Sequence, residues 1–204
     1  MKLILVCGPF GSGTTAVAGM LAGLGLPGIE PYFVSNDERT PNTFESIAFR
    51  ETLLRIVSEQ TLSFNPGVDR VAEIRRLYDQ IRMRGHETVF LKHPLAALLI
   101  PELCNVFDAR LVYVLRPFAD IEATRLRRNW FAQTGMAGAQ VIYGRMFGAL
   151  INSAFPTTIV RYPDFVTNPL DAAMKLAQFA GLGVDGHTIK RAANCIRSPA
   201  PQSK

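Results

Sequence analysis

The chain has 204 residues, of which 48% are hydrophobic and 19% are charged. This length and composition predict one globular domain over residues 1–204 and exclude a disordered or fibrous protein. The formal net charge of +5 favours anionic partners such as nucleotides, phosphates or sulfates. The arginine-rich stretches at 75–84 and 124–130 are typical of solvated helix faces, so no nucleic-acid partner is predicted.

The three cysteines are widely spaced, which indicates neither a disulfide framework nor a zinc site. Reduced cysteines are typical of the cytoplasm, which is the expected location. No apolar run approaches the ~20 residues that a membrane span needs, so no span is predicted. The sequence does not indicate an oligomeric state.

The first half of the chain predicts a strand, a glycine-rich loop and a helix, in that order. The apolar run KLILVC at 2–7 ends at GPFGSGTT, residues 8–15, and small and apolar residues then recur at helical spacing over 14–25. Residues 29–42 are polar and broken by prolines, which predicts a long loop. Amphipathic helices are predicted next, over 43–62 and 69–85.

The second half repeats a strand followed by a helix three times. The predicted strands cover 87–94, 110–117 and 157–165, and the predicted helices cover 95–107, 118–130 and 168–183. Such alternation is typical of an α/β fold with a parallel sheet and right-handed crossovers. The sequence therefore predicts a P-loop NTPase-like, three-layer αβα domain with a central parallel sheet.

Several polar residues follow predicted strands directly and are expected to converge on one site. They are the loop at 8–15, the pair Lys92 and His93, Arg116, and Arg161, for which a structural pairing with Asp164 is expected. Ligands bind outside the carboxyl ends of parallel strands, where these residues would meet.

The glycine-rich loop matches the phosphate-binding pattern G-x-x-x-x-G-K-[ST] at Gly8, Gly13 and Thr15, but Thr14 replaces the lysine. That lysine offsets phosphate charge in nucleoside-triphosphate enzymes, and no aspartate follows a strand where a magnesium ligand is expected. The pattern therefore favours group transfer without a metal, with the charge handled by side-chain cations.

Three motifs in the same order resemble the sulfotransferase family that uses 3′-phosphoadenosine 5′-phosphosulfate (PAPS), especially its bacterial members. They are GSGTT at 11–15, a strand ending FLKHP at 90–94, and VLRPFADIEAT at 114–124. The resemblance covers nearly the whole chain. It implies that Gly11, Ser12, Gly13, Thr14 and Thr15 surround the 5′-phosphosulfate, and that Arg116 and Thr124 hold the 3′-phosphate.

The resemblance also raises the question of which residues are catalytic, because Gly11 stands where the family usually has a basic residue. Lys92 is the expected substitute cation, and His93 is the expected general base because imidazole titrates near neutral pH. The alternative for His93 is a strand-end histidine bound to backbone. Asp37 and Glu45 are second choices as base.

The predicted activity is transfer of a sulfuryl group from PAPS to a hydroxyl or amine of a small molecule or glycan. Two alternatives stay open. One is a P-loop small-molecule kinase that uses ATP, and the other is a PAPS-binding homologue in which the change at Gly11 has abolished turnover.

Overall fold

The computed structural model describes residues 1–35, 42–194 and 196. The strands within these ranges are β1 Lys2–Cys7, β2 Tyr32–Val34, β3 Asn42–Ser46, β4 Thr88–Lys92, β5 Asp108–Leu115 and β6 Thr157–Arg161. The helices are α1 Thr14–Gly23, α2 Ile47–Ile56, α3 Arg70–Arg82, α4 Ile100–Val106, α5 Phe118–Arg127, α6 Met136–Asn152, α7 Tyr162–Thr167, α8 Pro169–Ala180 and α9 Gly186–Asn194.

The central sheet is four-stranded and entirely parallel, in the order β4-β1-β5-β6. Leu5 in β1 lies between Leu91 of β4 and Leu111 of β5, so the first strand is the middle of the core. Because helices cover both faces of this strand, it is apolar throughout rather than alternating.

The two faces of the sheet carry separate hydrophobic clusters. Leu3 and Leu5 pack with buried residues of α2, α3, α4 and α6, whereas Ile4 and Val6 pack with those of α1, α8 and α9. This arrangement confirms the predicted three-layer α/β fold with a central parallel sheet. It also brings the carboxyl ends of β1, β4 and β5 together at one edge.

The segment between α1 and α2 differs from the sequence-based prediction. The predicted loop at 29–42 contains β2, and the predicted helix at 43–62 begins only at Ile47, because Asn42–Ser46 pairs antiparallel with β2. Phe44 interrupts the regular strand geometry with a φ of 54°. Asp37, one of the second-choice bases, lies outside the described residues.

Other differences concern helices: α7 begins at Tyr162, inside the strand predicted over 157–165, and α9 lies where no helix was predicted. The helix predicted at 95–107 is a 3₁₀ turn over Pro94–Leu99 followed by α4, and the 17-residue helix α6 was not predicted. The glycines at 138, 144 and 148 weaken the helical signal in α6, since glycine costs about 1 kcal/mol relative to alanine in a helix. Across the described ranges, no helix combines the length and apolar character that crossing a bilayer requires.

Candidate functional site

The glycine-rich loop joins the end of β1 to the start of α1 and has the backbone of an anion-binding turn. Gly11 and Gly13 have φ values of 73° and 99°, a region that glycine enters without a steric penalty. Within the described residues, the backbone N–H groups of Gly13, Thr14 and Thr15 donate to no protein atom. These donors and the positive end of α1 can bind an oxyanion.

The loop is closely covered on its outer side by Tyr162, the first residue of α7. A Cβ atom added to Gly13 would overlap the Tyr162 ring, so only glycine fits there. Ser12 is fully buried behind the loop, and its hydroxyl has no hydrogen-bond partner among the residues described. The loop therefore holds unsatisfied donors in a closely packed frame.

Lys92, the last residue of β4, connects the loop to the β2–β3 hairpin. Its Nζ donates to Thr15 Oγ1 at 3.0 Å, to Glu45 Oε1 at 2.6 Å and to the Thr43 carbonyl oxygen at 3.3 Å. The residue is only 3% exposed. A buried ammonium group requires such partners, since removing its charge from water is costly.

Glu45 lies at the centre of this cluster, with its side chain 14% exposed. Oε1 accepts from Lys92, whereas Oε2 accepts no hydrogen bond from the described residues and lies 3.7 Å from His93 Nε2. Burial raises the pKa of the Glu45 carboxyl, but the charge and hydrogen bond of Lys92, the electrostatic effect of His93 and the charge of Arg50 together lower that pKa by more, so the net shift is downward. Glu45 thus has one carboxylate oxygen that accepts no hydrogen bond from the described part of the chain.

His93 follows Lys92 and is 1% exposed. Its Nδ1 accepts the backbone N–H of Leu95 at 3.2 Å, which caps the following 3₁₀ turn, so the ring proton of the neutral imidazole is on Nε2. Burial lowers the pKa of His93 to about 4, against the opposing effect of Glu45. The backbone-bound arrangement was the alternative that the sequence left open for this residue.

Arg116 follows β5 and lies on the other side of the loop. Its Nη1 donates to the Gly11 carbonyl oxygen at 2.8 Å and to Thr124 Oγ1 at 3.4 Å. The guanidinium carbon lies 4.8 Å from the centre of the Tyr162 ring, and the nearest Asp120 carboxylate oxygen is 3.7 Å from Nε. Nε is buried and has no hydrogen-bond partner in the described part of the chain.

The backbone around Arg116 is held by α6, the helix that the sequence pattern did not predict. The Tyr143 hydroxyl accepts from the Arg116 N–H at 2.8 Å and donates to its carbonyl oxygen at 3.1 Å. Thr124 Oγ1 donates to the Asp120 carbonyl oxygen at 2.9 Å, which fixes the threonine side chain against the preceding turn of α5. The arginine is therefore rigidly placed.

The predicted site residues fall into two groups on either side of the loop. One group contains Thr15, Lys92 and His93, and the other contains Gly11, Arg116 and Thr124, with Ser12, Gly13 and Thr14 between them. Glu45, only a second choice from the sequence, is the residue that links Lys92 to His93. Glu45 directly precedes Ser46, which accepts the Phe49 N–H as the N-cap of α2, so in the sequence this residue reads as part of a helix start.

Comparison with solved structures finds the same fold in other proteins. No family model matches the chain, and no curated protein matches it in sequence. Sulfotransferase STF1 from Mycobacterium tuberculosis H37Rv has a TM-score of 0.67 at 15% identity, over 95% of this chain and 70% of that one. The sulfotransferase domain of the Synechococcus PCC 7002 olefin synthase has a TM-score of 0.57 at 19% identity, over 93% and 76%.

A solved structure of a different kind shares the same architecture. A sugar kinase from Janibacter sp. HTCC2649 has a TM-score of 0.55 at 13% identity, over 90% of this chain and 96% of that one. At these identities the likenesses establish a shared fold and nothing finer.

Replacing Gly13 by alanine tests the packing of the loop. We expect Gly13→Ala to lower the free energy of unfolding in urea by more than Gly25→Ala. Both glycines have positive φ, at 99° and 89°, but nothing lies within 4 Å of a Cβ on Gly25. The control therefore measures the backbone cost alone, about 1–2 kcal/mol.

The excess cost of Gly13→Ala should fall when Tyr162→Ala removes the ring that the new methyl group overlaps. A double-mutant cycle measures this coupling directly. Equal losses for the two glycine variants, or no coupling between positions 13 and 162, would contradict the described packing.

Proposed function

We propose that the protein is a sulfotransferase that moves a sulfuryl group from PAPS to a hydroxyl or amine of a small molecule or glycan. The observation that carries the proposal is the contact of Lys92 with both Thr15 of the phosphate loop and Glu45. It places a cation and a carboxylate beside a loop that has no lysine of its own. In-line sulfuryl transfer needs a base for the acceptor and positive charge for the leaving phosphate.

The groups around the loop fit a nucleotide with oxyanions at both its 5′ and 3′ positions. Ser12 Oγ and Arg116 Nε are buried without partners among the described residues, and such groups cost free energy unless a ligand or water satisfies them. We assign the N–H groups of 13–15 to the 5′-phosphosulfate, and Arg116 with the Thr124 hydroxyl to the 3′-phosphate. Bound PAPS would supply the sulfuryl group.

Glu45 is proposed as the general base. Its free Oε2 takes the proton of the acceptor hydroxyl while the acceptor oxygen forms its bond to sulfur. Lys92 and the loop N–H groups then stabilise the phosphate oxygen that keeps the electron pair of the broken S–O bond. Lys92 can act on both Glu45 and the leaving phosphate because its ammonium group already contacts Glu45 and, at Thr15, the phosphate loop.

His93 competes with Glu45 for the role of base, but its geometry supports a positioning role. Its Nδ1 accepts the Leu95 N–H and its Nε2 carries the ring proton, so the neutral imidazole has no free lone pair for the acceptor proton. With the proton on Nε2, the ring faces the Glu45 carboxylate at 3.7 Å and favours the ionised form of that group. We therefore assign His93 to orienting Glu45.

A small-molecule kinase is the second candidate function, and the likeness to the sugar kinase supports it. In that case Lys92 would contact the transferred phosphoryl group, and magnesium with ATP would be required. The absence of a lysine from the loop argues against this activity, because that lysine reaches the β- and γ-phosphates in P-loop enzymes.

Nucleotide preference distinguishes these functions. We expect adenosine 3′,5′-bisphosphate to raise the thermal unfolding temperature more than ADP or ATP with magnesium does. A ligand at 100 times its dissociation constant stabilises the native state by about 2.7 kcal/mol. Arg116→Gln should weaken the bisphosphate effect.

A matched control for that substitution is Arg161→Gln, which removes an exposed strand-end arginine that pairs with Asp164 at 3.4 Å. Stabilisation by ATP with magnesium but not by the bisphosphate would refute the sulfotransferase and favour the kinase. Bisphosphate binding without transfer from radiolabelled PAPS to any of a broad panel of hydroxyl and amine acceptors would indicate the binding-only homologue.

The identity of the base can be tested with two conservative substitutions. Glu45→Gln keeps the shape but removes the base, so we expect the transfer rate to fall by about 10²–10⁴-fold. His93→Asn keeps a side chain that can cap the turn at Leu95, and we expect less than a tenfold loss. The reverse order of losses would assign the base to His93.

The pH dependence of the rate tests the ion pair of Glu45 with Lys92. A carboxylate base must be ionised, so the rate falls as the pH drops through the Glu45 pKa, which lies below its usual value. Lys92→Met removes the nearest positive charge and raises that pKa, so the acidic limb should move to higher pH. Lys175→Met, which breaks an exposed pair with Asp171, should leave the limb in place. An unmoved limb in Lys92→Met would exclude Glu45 as the titrating group.

A further inference from the structure

Arg50 is a cation near the proposed base, and it takes no part in the transfer proposed above. It lies on α2 at the fourth position after the N-cap Ser46, and Glu45 is the residue before that cap. Side chains at these two positions of a helix start lie close together, as in the hydrophobic staple. The Arg50 charge accordingly contributes to lowering the pKa values of both Glu45 and His93.

The guanidinium group of Arg50 forms no ion pair with Glu45, whose Oε1 accepts from Lys92. Its central carbon lies 4.8 Å from the centre of the Phe33 ring instead. Phe33 belongs to β2 and is 39% exposed, so the stacked pair lies at the rim of the site. Stacking on a ring leaves the in-plane N–H donors of an arginine available.

No carboxylate among the described residues satisfies those donors. Arg50 makes neither a hydrogen bond nor an ion pair within 1–35, 42–194 and 196. Its charge lowers the pKa of Glu59, but burial of that carboxyl raises the same pKa by more. Other arginines of this part of the chain, such as Arg55 with Glu73 at 3.0 Å, have carboxylate partners. Arg50 is therefore a guanidinium group stacked on Phe33, one helical turn from the proposed base, with donors that no described residue accepts.

We propose that Arg50 binds an oxyanionic group of the acceptor and so holds the acceptor hydroxyl toward Glu45. The acceptor class would be hydroxyl compounds that also carry a carboxylate or phosphate, with an apolar part packed on Phe33. A planar guanidinium binds either oxyanion through two parallel hydrogen bonds, which fixes orientation as well as position. This inference rests on the proposed sulfotransferase function, since it names the acceptor of that site.

The test measures binding of matched probes by calorimetry, in the presence of adenosine 3′,5′-bisphosphate. The probes are 3-(4-hydroxyphenyl)propionate, its neutral amide, and 4-hydroxyphenyl phosphate. We expect the wild-type protein to bind at least one of the two anions about tenfold more tightly than the amide, because a charge-assisted hydrogen bond is lost with the amide. Whichever of the carboxylate and phosphate probes binds more tightly identifies the oxyanionic group that Arg50 binds.

Two substitutions on the same helix separate the local contact from net charge. Arg50→Gln should weaken anion binding about tenfold and leave amide binding within twofold, whereas Arg55→Gln changes the net charge equally and should alter neither. Arg50→Lys keeps the charge but loses the planar fork, so intermediate binding is expected. Equal binding of anions and amide, no binding of either anion, or no effect of Arg50→Gln would overturn the proposal.

A wrong role for Arg50 and a wrong activity for the protein would give different results in these experiments. Arg50→Gln should bind the bisphosphate as the wild type does, since Arg50 contacts Phe33 rather than the loop. If the wild type does not bind the bisphosphate, the sulfotransferase proposal fails. The comparison of anions with the amide, repeated on the protein without nucleotide, still decides the role of Arg50.

Discussion

The ion pair between Lys92 and Glu45 is the interaction on which the candidate site depends. It joins three separate segments: the carboxyl end of β4, the start of α1 through Thr15, and the hairpin through Glu45 and the Thr43 carbonyl group. With Lys92 only 3% exposed, its charge is stable only while these oxygens surround it. The hairpin is thereby fixed against the sheet, and the carboxylate is fixed against the loop.

The backbone of the hairpin contributes to the same placement. Phe44 has a φ of 54°, a conformation that costs a residue with a side chain about 1–2 kcal/mol. Its ring packs against Tyr32 and Phe90, with centroid distances of 5.5 and 6.4 Å, and this burial offsets the strain. With Phe44 directed into the core, the next residue, Glu45, is directed to Lys92. Strained residues of this kind cluster at functional sites.

The parallel sheet and the two cationic residues at the ends of its strands, Lys92 and Arg116, were predictable from sequence because their signals are local. An apolar run ending in Lys92 or in Arg116 indicates a buried strand whose last residue reaches the ligand edge. Glu45 was not predictable as the centre of the site, since NTFES reads as the start of a helix and its strand conformation depends on pairing with β2. Helix α6 was missed for a similar reason, because the burial of Ile142 and Met146 overcomes the cost of its glycines.

The backbone of Gly11 explains why residue 11 carries no basic side chain. At a φ of 73°, with Thr124 Cγ2 only 3.2 Å from an added Cβ, this position disfavours any larger residue. The carbonyl group of the same glycine accepts the Arg116 guanidinium at 2.8 Å, so a cation from β5 lies beside the loop. Lys92 reaches the opposite end at Thr15. A basic side chain at residue 11 would have to displace Thr124 and disturb the Arg116 contact. Positive charge is therefore provided from the ends of β4 and β5, the two strands that flank β1.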